Sequence, residues 1–445
     1  MQKCPGATLC CLVIATGIGT WIASLIFGSL TRLIIDENSE TSWILRFIYT
    51  ILGYATVFLP CWVLIHLSQK HNLHSLGGFQ WKLLRLLLTG NTSETIISDP
   101  DSEQLIETIQ PVKTEPVLSL YHNAKHLIFC CAGLQVSYLL WGVLQEKIMT
   151  KEYLDGDKVE KFTDSQFLVF VNRILAFAFS GIYLLVSRPN VHRTPLYKYS
   201  FCSISNTLSS WCQYEALKFI SFPTQVLAKS AKVIPVMLMG KLISRTQYKN
   251  YEYATALLIS IGMTAFLLGS SEGKKGNTVT TISGVVLLLG YLIFDSFTAN
   301  WQSALFKEHR PSSVQMMCGV NLMSCLFTSA SLIQQGGFFY SLSFAARHPS
   351  FISDCLLTAV SSAAGQLFIF ATISKFGAVV FTIIMTVRQG LSILLSCILY
   401  HHHLSEVGIF GIVVVFVAIF MRIYYGQRDK RRQLMASAES NVSKV

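Results

Sequence analysis

Charged residues are scarce in this chain of 445 residues: Asp, Glu, Lys and Arg make up 13% of it, against 52% for hydrophobic residues. This balance, with a positive mean hydropathy, excludes a disordered chain and argues against a soluble globular protein. The net charge of +11 does not indicate nucleic-acid binding, because neither zinc-finger spacing nor a basic helix accompanies it. The composition favours a membrane protein.

Motifs of hydrolytic, redox and metal chemistry are missing as well. The sequence has no Walker-A loop or H-E-x-x-H, and its twelve cysteines form no C-x-x-C. The one histidine cluster, His401 to His403, lacks further ligands at metal-site spacing and is interpreted as a loop. We therefore expect neither ATP-driven transport nor a metal or cofactor. A membrane-embedded transferase using this cluster or Asp295 remains the alternative from another class.

Long hydrophobic runs dominate the rest of the chain. A helix needs about 20 apolar residues to cross a bilayer, and the runs of that length predict an all-α integral membrane protein. Two runs precede a polar interval at 68–124, which we interpret as a linker with one amphipathic helix at 79–89. The first run is read as a retained span rather than a cleaved signal sequence. The predicted spans are 8–30, 44–67, 125–146, 166–187, 196–219, 222–244, 251–270, 281–304, 313–334, 350–374, 377–399 and 406–424.

Basic residues concentrate in alternate connections and after the last run, which places that side in the cytosol. Both ends of the ten-span core would then be cytosolic, and glycosylation at Asn91 would contradict this topology. The residues concerned are Arg188, Arg193 and Lys198; Lys241, Arg245 and Lys249; Lys307 and Arg310; and Arg422, Arg428, Lys430, Arg431 and Arg432.

The ten core spans divide into five and five around a polar break at 270–277. An odd number of spans per half makes the two halves run in opposite directions, as in the inverted repeats of secondary transporters, which bind substrate near the membrane midplane. The predicted organisation is an N-terminal extension at 1–124, a first repeat at 125–270, a second repeat at 271–424 and a basic cytosolic tail at 425–445.

Cations lie deep inside two of these runs. Lys229 and Lys232 share a helix face in the run at 222–243, and Arg388 lies near the middle of the run at 377–399. A cation at that depth costs several kcal/mol unless it faces a polar cavity or a counter-ion. We favour a phosphate clamp, in which Arg388 can offer a bidentate fork. The alternative is internal pairing with Asp295 or Glu215.

Other polar residues in apolar runs are weaker candidates. Arg173 fits a ligand contact and a structural ion pair equally well. Asp295 is interpreted as a gating or charge partner of a basic residue. Glu215 is a candidate for the same role near the non-cytosolic end, where a gate is plausible but solvation is the default. The remaining polar groups suit either a bound base and ribose or contacts between helices: Gln225, Tyr214, Asn206, Thr386 and Tyr138.

Several segments resemble a known family. Residues 209–219 and 221–245 are similar to the third and fourth core helices of transporters for 3′-phosphoadenosine 5′-phosphosulfate (PAPS), in the nucleotide-sugar transporter family of the drug/metabolite transporter superfamily. Further similar runs lie at 162–173, 294–306, 312–321 and 365–397. The long N-terminus resembles type 1 of the two PAPS transporter types.

The resemblance implies a ten-helix core of two inverted five-helix repeats and no enzymatic activity. It also implies antiport of cytosolic PAPS against an adenosine nucleotide across the Golgi membrane, for sulfation in the lumen, with Lys229, Lys232 and Arg388 on the phosphates. A UDP- or GDP-sugar is the alternative cargo. Membrane lipids are expected partners, nucleic acid is not, and a homodimer remains open.

Overall fold

The protein was analysed as a computed structural model. It describes residues 5–34, 42–70, 116–150, 152–155, 158–162, 164–187, 194–216, 219–220, 228–229, 231–271, 282–399 and 406–442. These residues are almost entirely helical, as the composition predicts. In chain order the elements are α1 (Pro5–Ile34), α2 (Ser42–Lys70), α3 (Pro116–Thr150), β1 (Glu152–Asp155), β2 (Lys158–Lys161), α4 (Ser165–Ser187), α5 (Tyr197–Ala216), α6 (Val233–Ser244), α7 (Asn250–Ser271), α8 (Ile282–His309), α9 (Ser313–Gln335), α10 (Gly337–Arg347), α11 (Pro349–Leu399) and α12 (Glu406–Val442).

Eight described helices are long and apolar enough to cross a membrane: α1 to α4, α8, α9, α11 and α12. The predicted runs at 196–219, 222–244 and 251–270 also contain helices within their described residues, namely α5, α6 and α7. The predicted amphipathic helix at 79–89, His401 to His403 and Asn91 lie outside the described residues.

Two predicted spans are joined into α11, which is broken at Gly377. This residue has φ 83° and ψ 172°, a region that is essentially restricted to glycine. The break falls where the sequence predicts that one span ends and the next begins. It separates a helix that ends near Phe376 from one that carries Arg388.

The predicted helix at 222–244 is interrupted within its described part. Residues 228–229 are helical, residues 231–232 form a turn, and α6 begins at Val233 with Lys232 as the N-cap residue. The turn contains the Ala231 N–H to Ala228 carbonyl and Lys232 N–H to Lys229 carbonyl bonds. Pro235 lies in the first turn of α6, where a missing N–H removes no intrahelical bond.

Four features were not predicted. An antiparallel hairpin pairs β1 with β2, with Asp155 opposite Lys158, in the connection between two predicted spans. The short helix α10 fills the connection at 335–349. Finally, α12 continues to Val442, so that most of the predicted tail is helical, and α3 extends back into the predicted linker.

The chain forms two compact units, and each draws helices from both predicted repeats. The first unit comprises Met1–Thr207 and Leu305–Lys375, and the second comprises Leu208–Ala304 and Phe376–Val445. The first has an aromatic core in which Phe162 packs against Phe344 and Phe351, with ring centroids 5.2 and 4.6 Å apart. Asp164 accepts the Phe167 N–H at the start of α4 and the Ser341 hydroxyl of α10.

The second unit has an aliphatic core contributed by α6, α7, α8, α11 and α12. Helices α7 and α12 approach most closely at two glycines, since a Cβ added to Gly262 would lie 2.9 Å from the Gly411 carbonyl oxygen. At one end of this pair, Lys249 binds Asp429 at 2.8 Å. The hydrogen bond from Lys249 holds the pKa of the Asp429 carboxyl below its usual value.

Candidate substrate site

The start of α6 brings a helix N-terminus and two lysines together. Lys232 is the N-cap residue of α6. The first turn offers few N–H groups to a ligand, because the Ile234 N–H bonds the Ala231 carbonyl at 3.3 Å and Pro235 has no N–H. Asn300 of α8 secures this helix by donating to the Val236 carbonyl at 2.8 Å.

Lys232 forms an ion pair with Asp295 of α8. The two side chains are 13% and 23% exposed, so the pair is largely shielded from the surroundings. Asp295 thus has a basic partner, as expected from the sequence, although the sequence did not say which one. Of the alternatives considered from the sequence, the structure shows the internal pairing of Lys232 with Asp295.

Lys229 lies over an aromatic ring. Its Nζ atom is 5.9 Å from the centroid of Tyr291, a buried residue of α8 that lies one turn before Asp295. A cation over a ring face is attracted by the ring quadrupole. Tyr291 was missed in the sequence analysis, although its position four residues before Asp295 on the same helix face was an available signal.

Arg388 completes a cluster with these groups. Lys232, Asp295 and Arg388 all lie close enough to Lys229 to act on it electrostatically. Among the described residues, this cluster contains three cations and one carboxylate, hence a formal charge of +2 (3 − 1). We refer to Lys229, Lys232, Asp295 and Arg388 below as the basic cluster.

Thr386, two residues before the cluster arginine, has a buried side chain. Its hydroxyl donates to the Thr382 carbonyl at 2.9 Å, so its proton is used within the helix. Only its oxygen lone pairs remain for a ligand. Gln225 lies outside the described residues, as do the side chains of Tyr214 and Gln389.

Glu215 differs from expectation. The sequence analysis placed it near solvent, but the side chain is only 7% exposed. The physical reason is that the end of α5 lies within the second unit, and its neighbour Ala216 is fully buried.

Three candidates belong to the first unit. Arg173 donates to the Asn321 Oδ1 atom at 3.5 Å, and the Asn321 amide donates to Gln366 at 2.7 Å. Tyr138 packs against Gly365, where an added Cβ would lie 2.9 Å from its ring. Asn206 is half-buried on α5.

Comparison with known proteins identifies the family. A model of the UAA transporter family matches residues 126–426. The chain belongs to the UAA transporter family. It is accordingly a multi-pass membrane transporter and not an enzyme, which makes the transferase alternative wrong and confirms the resemblance to nucleotide-sugar transporters.

Relatives of this UAA family member span nearly its whole length. "Adenosine 3'-phospho 5'-phosphosulfate transporter 1" of Drosophila melanogaster is 49% identical over 94% of this chain and 90% of that protein. The Homo sapiens protein of the same name is 49% identical over 92% and 94%. "UDP-galactose/UDP-glucose transporter 5" of Arabidopsis thaliana is 38% identical over 68% and 88%.

One solved crystal structure shares the fold of this family member. It aligns with a TM-score of 0.50 at 12% identity and covers 67% of this chain and 98% of that one. At that identity the similarity concerns the fold alone.

Proposed function

We propose that this transporter carries PAPS from the cytosol into the Golgi lumen in exchange for an adenosine nucleotide. The PAPS transporter names of relatives at 49% identity support the cargo. The basic cluster supports it independently, and it is the observation on which the proposal depends.

The charge of PAPS matches this cluster. With a 3′-phosphate, a 5′-phosphate and a sulfate, PAPS carries about four negative charges near neutral pH. Moving such an anion into a low-dielectric environment is prohibitive without compensating cations. Lys229, Lys232 and Arg388 supply those charges within the basic cluster.

In the absence of substrate, Asp295 is the ion-pair partner of Lys232. In the proposed cycle, a phosphate of PAPS replaces the carboxylate as the partner of Lys232, and the carboxylate returns as the phosphate leaves. Exchange of anionic partners of this kind favours antiport, since the next nucleotide takes the place of the last. Alternating access would follow from the predicted inverted repeats at 125–270 and 271–424.

A UDP-sugar is the second candidate cargo. The 38% identity to an Arabidopsis UDP-galactose/UDP-glucose transporter favours it. A nucleotide sugar carries its charge on a diphosphate bridge alone, so it would use fewer of the cluster cations than PAPS. Competition by unlabelled UDP-galactose and GDP-mannose against labelled PAPS distinguishes the two cargoes.

Uptake into proteoliposomes preloaded with adenosine 3′,5′-bisphosphate tests the proposal. Lys232→Ala and Arg388→Ala each remove a charge-assisted contact worth about 1.5–3 kcal/mol, so we expect uptake of labelled PAPS at subsaturating concentration to fall by about 10- to 150-fold. Lys241→Ala is the matched control, because Lys241 is an exposed lysine at the other end of α6. Full activity of both cluster variants would reject the clamp.

A further inference from the structure

The first unit contains a cavity of about 220 Å³ between the N-terminal extension and two core helices. Helix α2 forms one wall, and α5 and α9 form the others. Side chains that define its walls include Phe58, Trp62, His66, Tyr197, Phe201 and Phe327. The cavity is thus separate from the basic cluster, none of whose residues belongs to this unit.

Packed contacts of α2 border the cavity. In its first half, α2 packs tightly on α9: a Cβ added to Gly53 would lie 2.5 Å from the Gln334 Oε1 atom, and the Tyr54 and Phe327 rings are 6.2 Å apart. Further along, Phe58 meets Phe201 edge to face at 6.0 Å. The space beyond this contact is therefore bounded by well-packed residues.

The two ends of the cavity differ in polarity. Its interior is apolar, with Phe58, Phe201 and Phe327 among its walls, whereas His66, Tyr197 and Ser200 supply polar atoms. His66 stacks on Trp62 with ring planes 8° apart. Cations flank this polar end: exposed Lys70 follows His66 by one turn, and Lys198 follows Tyr197 but already binds Glu308 at 2.7 Å.

We propose that this cavity binds one acyl chain of an anionic phospholipid of the cytosolic leaflet, with its headgroup at His66 and Lys70. An apolar interior with a basic mouth matches an anionic amphiphile. The last turn of α2 and the first turn of α5 are both predicted to face the cytosol, and the cavity brings them together. Anionic lipids are concentrated in that leaflet, where each nearby Lys contributes about 1 kcal/mol.

Fluorescence quenching by brominated lipids tests this proposal in the full-length protein. The purified transporter is reconstituted in phosphatidylcholine containing increasing fractions of acyl-brominated phosphatidylserine or acyl-brominated phosphatidylcholine. The difference between wild type and Trp62→Phe isolates the Trp62 signal. We expect half-maximal quenching at an about 5-fold lower fraction of the serine lipid, which corresponds to about 1 kcal/mol.

Two variants separate this site from general lipid contact. Lys70→Gln should abolish the preference for phosphatidylserine, because it removes the cation but no cavity wall. Cys61→Phe should fill the cavity and remove the preferential component, whereas Leu59→Phe, on the same helix but outside the cavity walls, should preserve it. If Cys61→Phe fails to fold, Lys70→Gln decides the result.

Equal quenching of Trp62 by the two lipids would overturn the proposal. So would a preference for phosphatidylserine that survives in Lys70→Gln. Stronger quenching by a brominated sterol than by either phospholipid would identify a sterol site instead and would equally overturn it.

Discussion

At the scale of single residues, the basic cluster shows what a sequence can and cannot reveal. Depth in an apolar run singled out Lys229, Lys232 and Arg388, because a cation there needs a partner. It could not reveal that Asp295 pairs with Lys232, since both lysines and the arginine were equivalent partners by spacing. Tyr291 was not predicted, because a tyrosine in an apolar run has no large free-energy cost of burial that requires a partner.

Asp295→Asn tests the exchange of partners at Lys232. Removing the carboxylate raises the formal charge of the cluster from +2 to +3 (3 − 0) and removes the competitor of the phosphate. We expect the PAPS concentration for half-maximal uptake to fall several-fold and the maximal exchange rate to fall as well, because the bound nucleotide leaves more slowly. Counterflow kinetics in proteoliposomes measure both quantities.

The control for this variant is Glu252→Gln. Glu252 binds Arg422 at 3.4 Å in the same unit but is not part of the cluster, so its loss should leave the half-maximal concentration unchanged. A half-maximal concentration for Asp295→Asn that stays the same or rises would contradict the proposed competition.

At the scale of elements, glycine decided which helix break could be predicted. The predicted boundary between the spans 350–374 and 377–399 coincides with Gly377, where α11 is broken. The turn at residues 231–232 was missed because the segment around Ala228 and Ala231 has the composition of a good helix. The hairpin did have a signal: Asp155 is followed by glycine between two short runs, a typical two-residue turn.

Gly377→Ala measures the strain of the break in α11. With φ 83° the backbone disfavours any side chain, although the nearest atom to an added Cβ is the Ser303 hydroxyl at 4.0 Å. The cost is therefore conformational, about 1–3 kcal/mol, and we expect a melting temperature about 2–10 °C lower in detergent.

Gly142→Ala is the matched control for that substitution. Gly142 lies in a described helix with nothing within 4 Å of an added Cβ, so alanine should leave the melting temperature the same or slightly higher. Equal melting temperatures for Gly377→Ala and wild type would show that the break does not need glycine.

At the scale of the whole molecule, membrane orientation rests on the distribution of basic residues. The positive-inside rule places the C-terminal end of α12 in the cytosol and the β1–β2 hairpin in the lumen. Hydropathy alone predicted helices at all the described core spans, yet it did not predict that each compact unit would combine helices from both repeats. Such non-local packing leaves no trace in a local window of sequence.

Protease protection of sealed Golgi vesicles tests this orientation. An epitope after Val445 should be removed by added protease, whereas an epitope inserted between Asp155 and Lys158 should survive until detergent opens the vesicles. The two tags in one chain control for vesicle integrity. The reverse pattern would invert the topology and the proposed direction of PAPS transport.

The close approach of α7 and α12 constrains how the second unit can deform. Where Gly262 faces Gly411, backbone meets backbone without side chains between them, and Lys249 ties the same two helices to each other at Asp429. The two helices therefore move together as one rigid body during a conformational change. Bending in this unit occurs instead at positions such as Gly377, where α11 is already kinked.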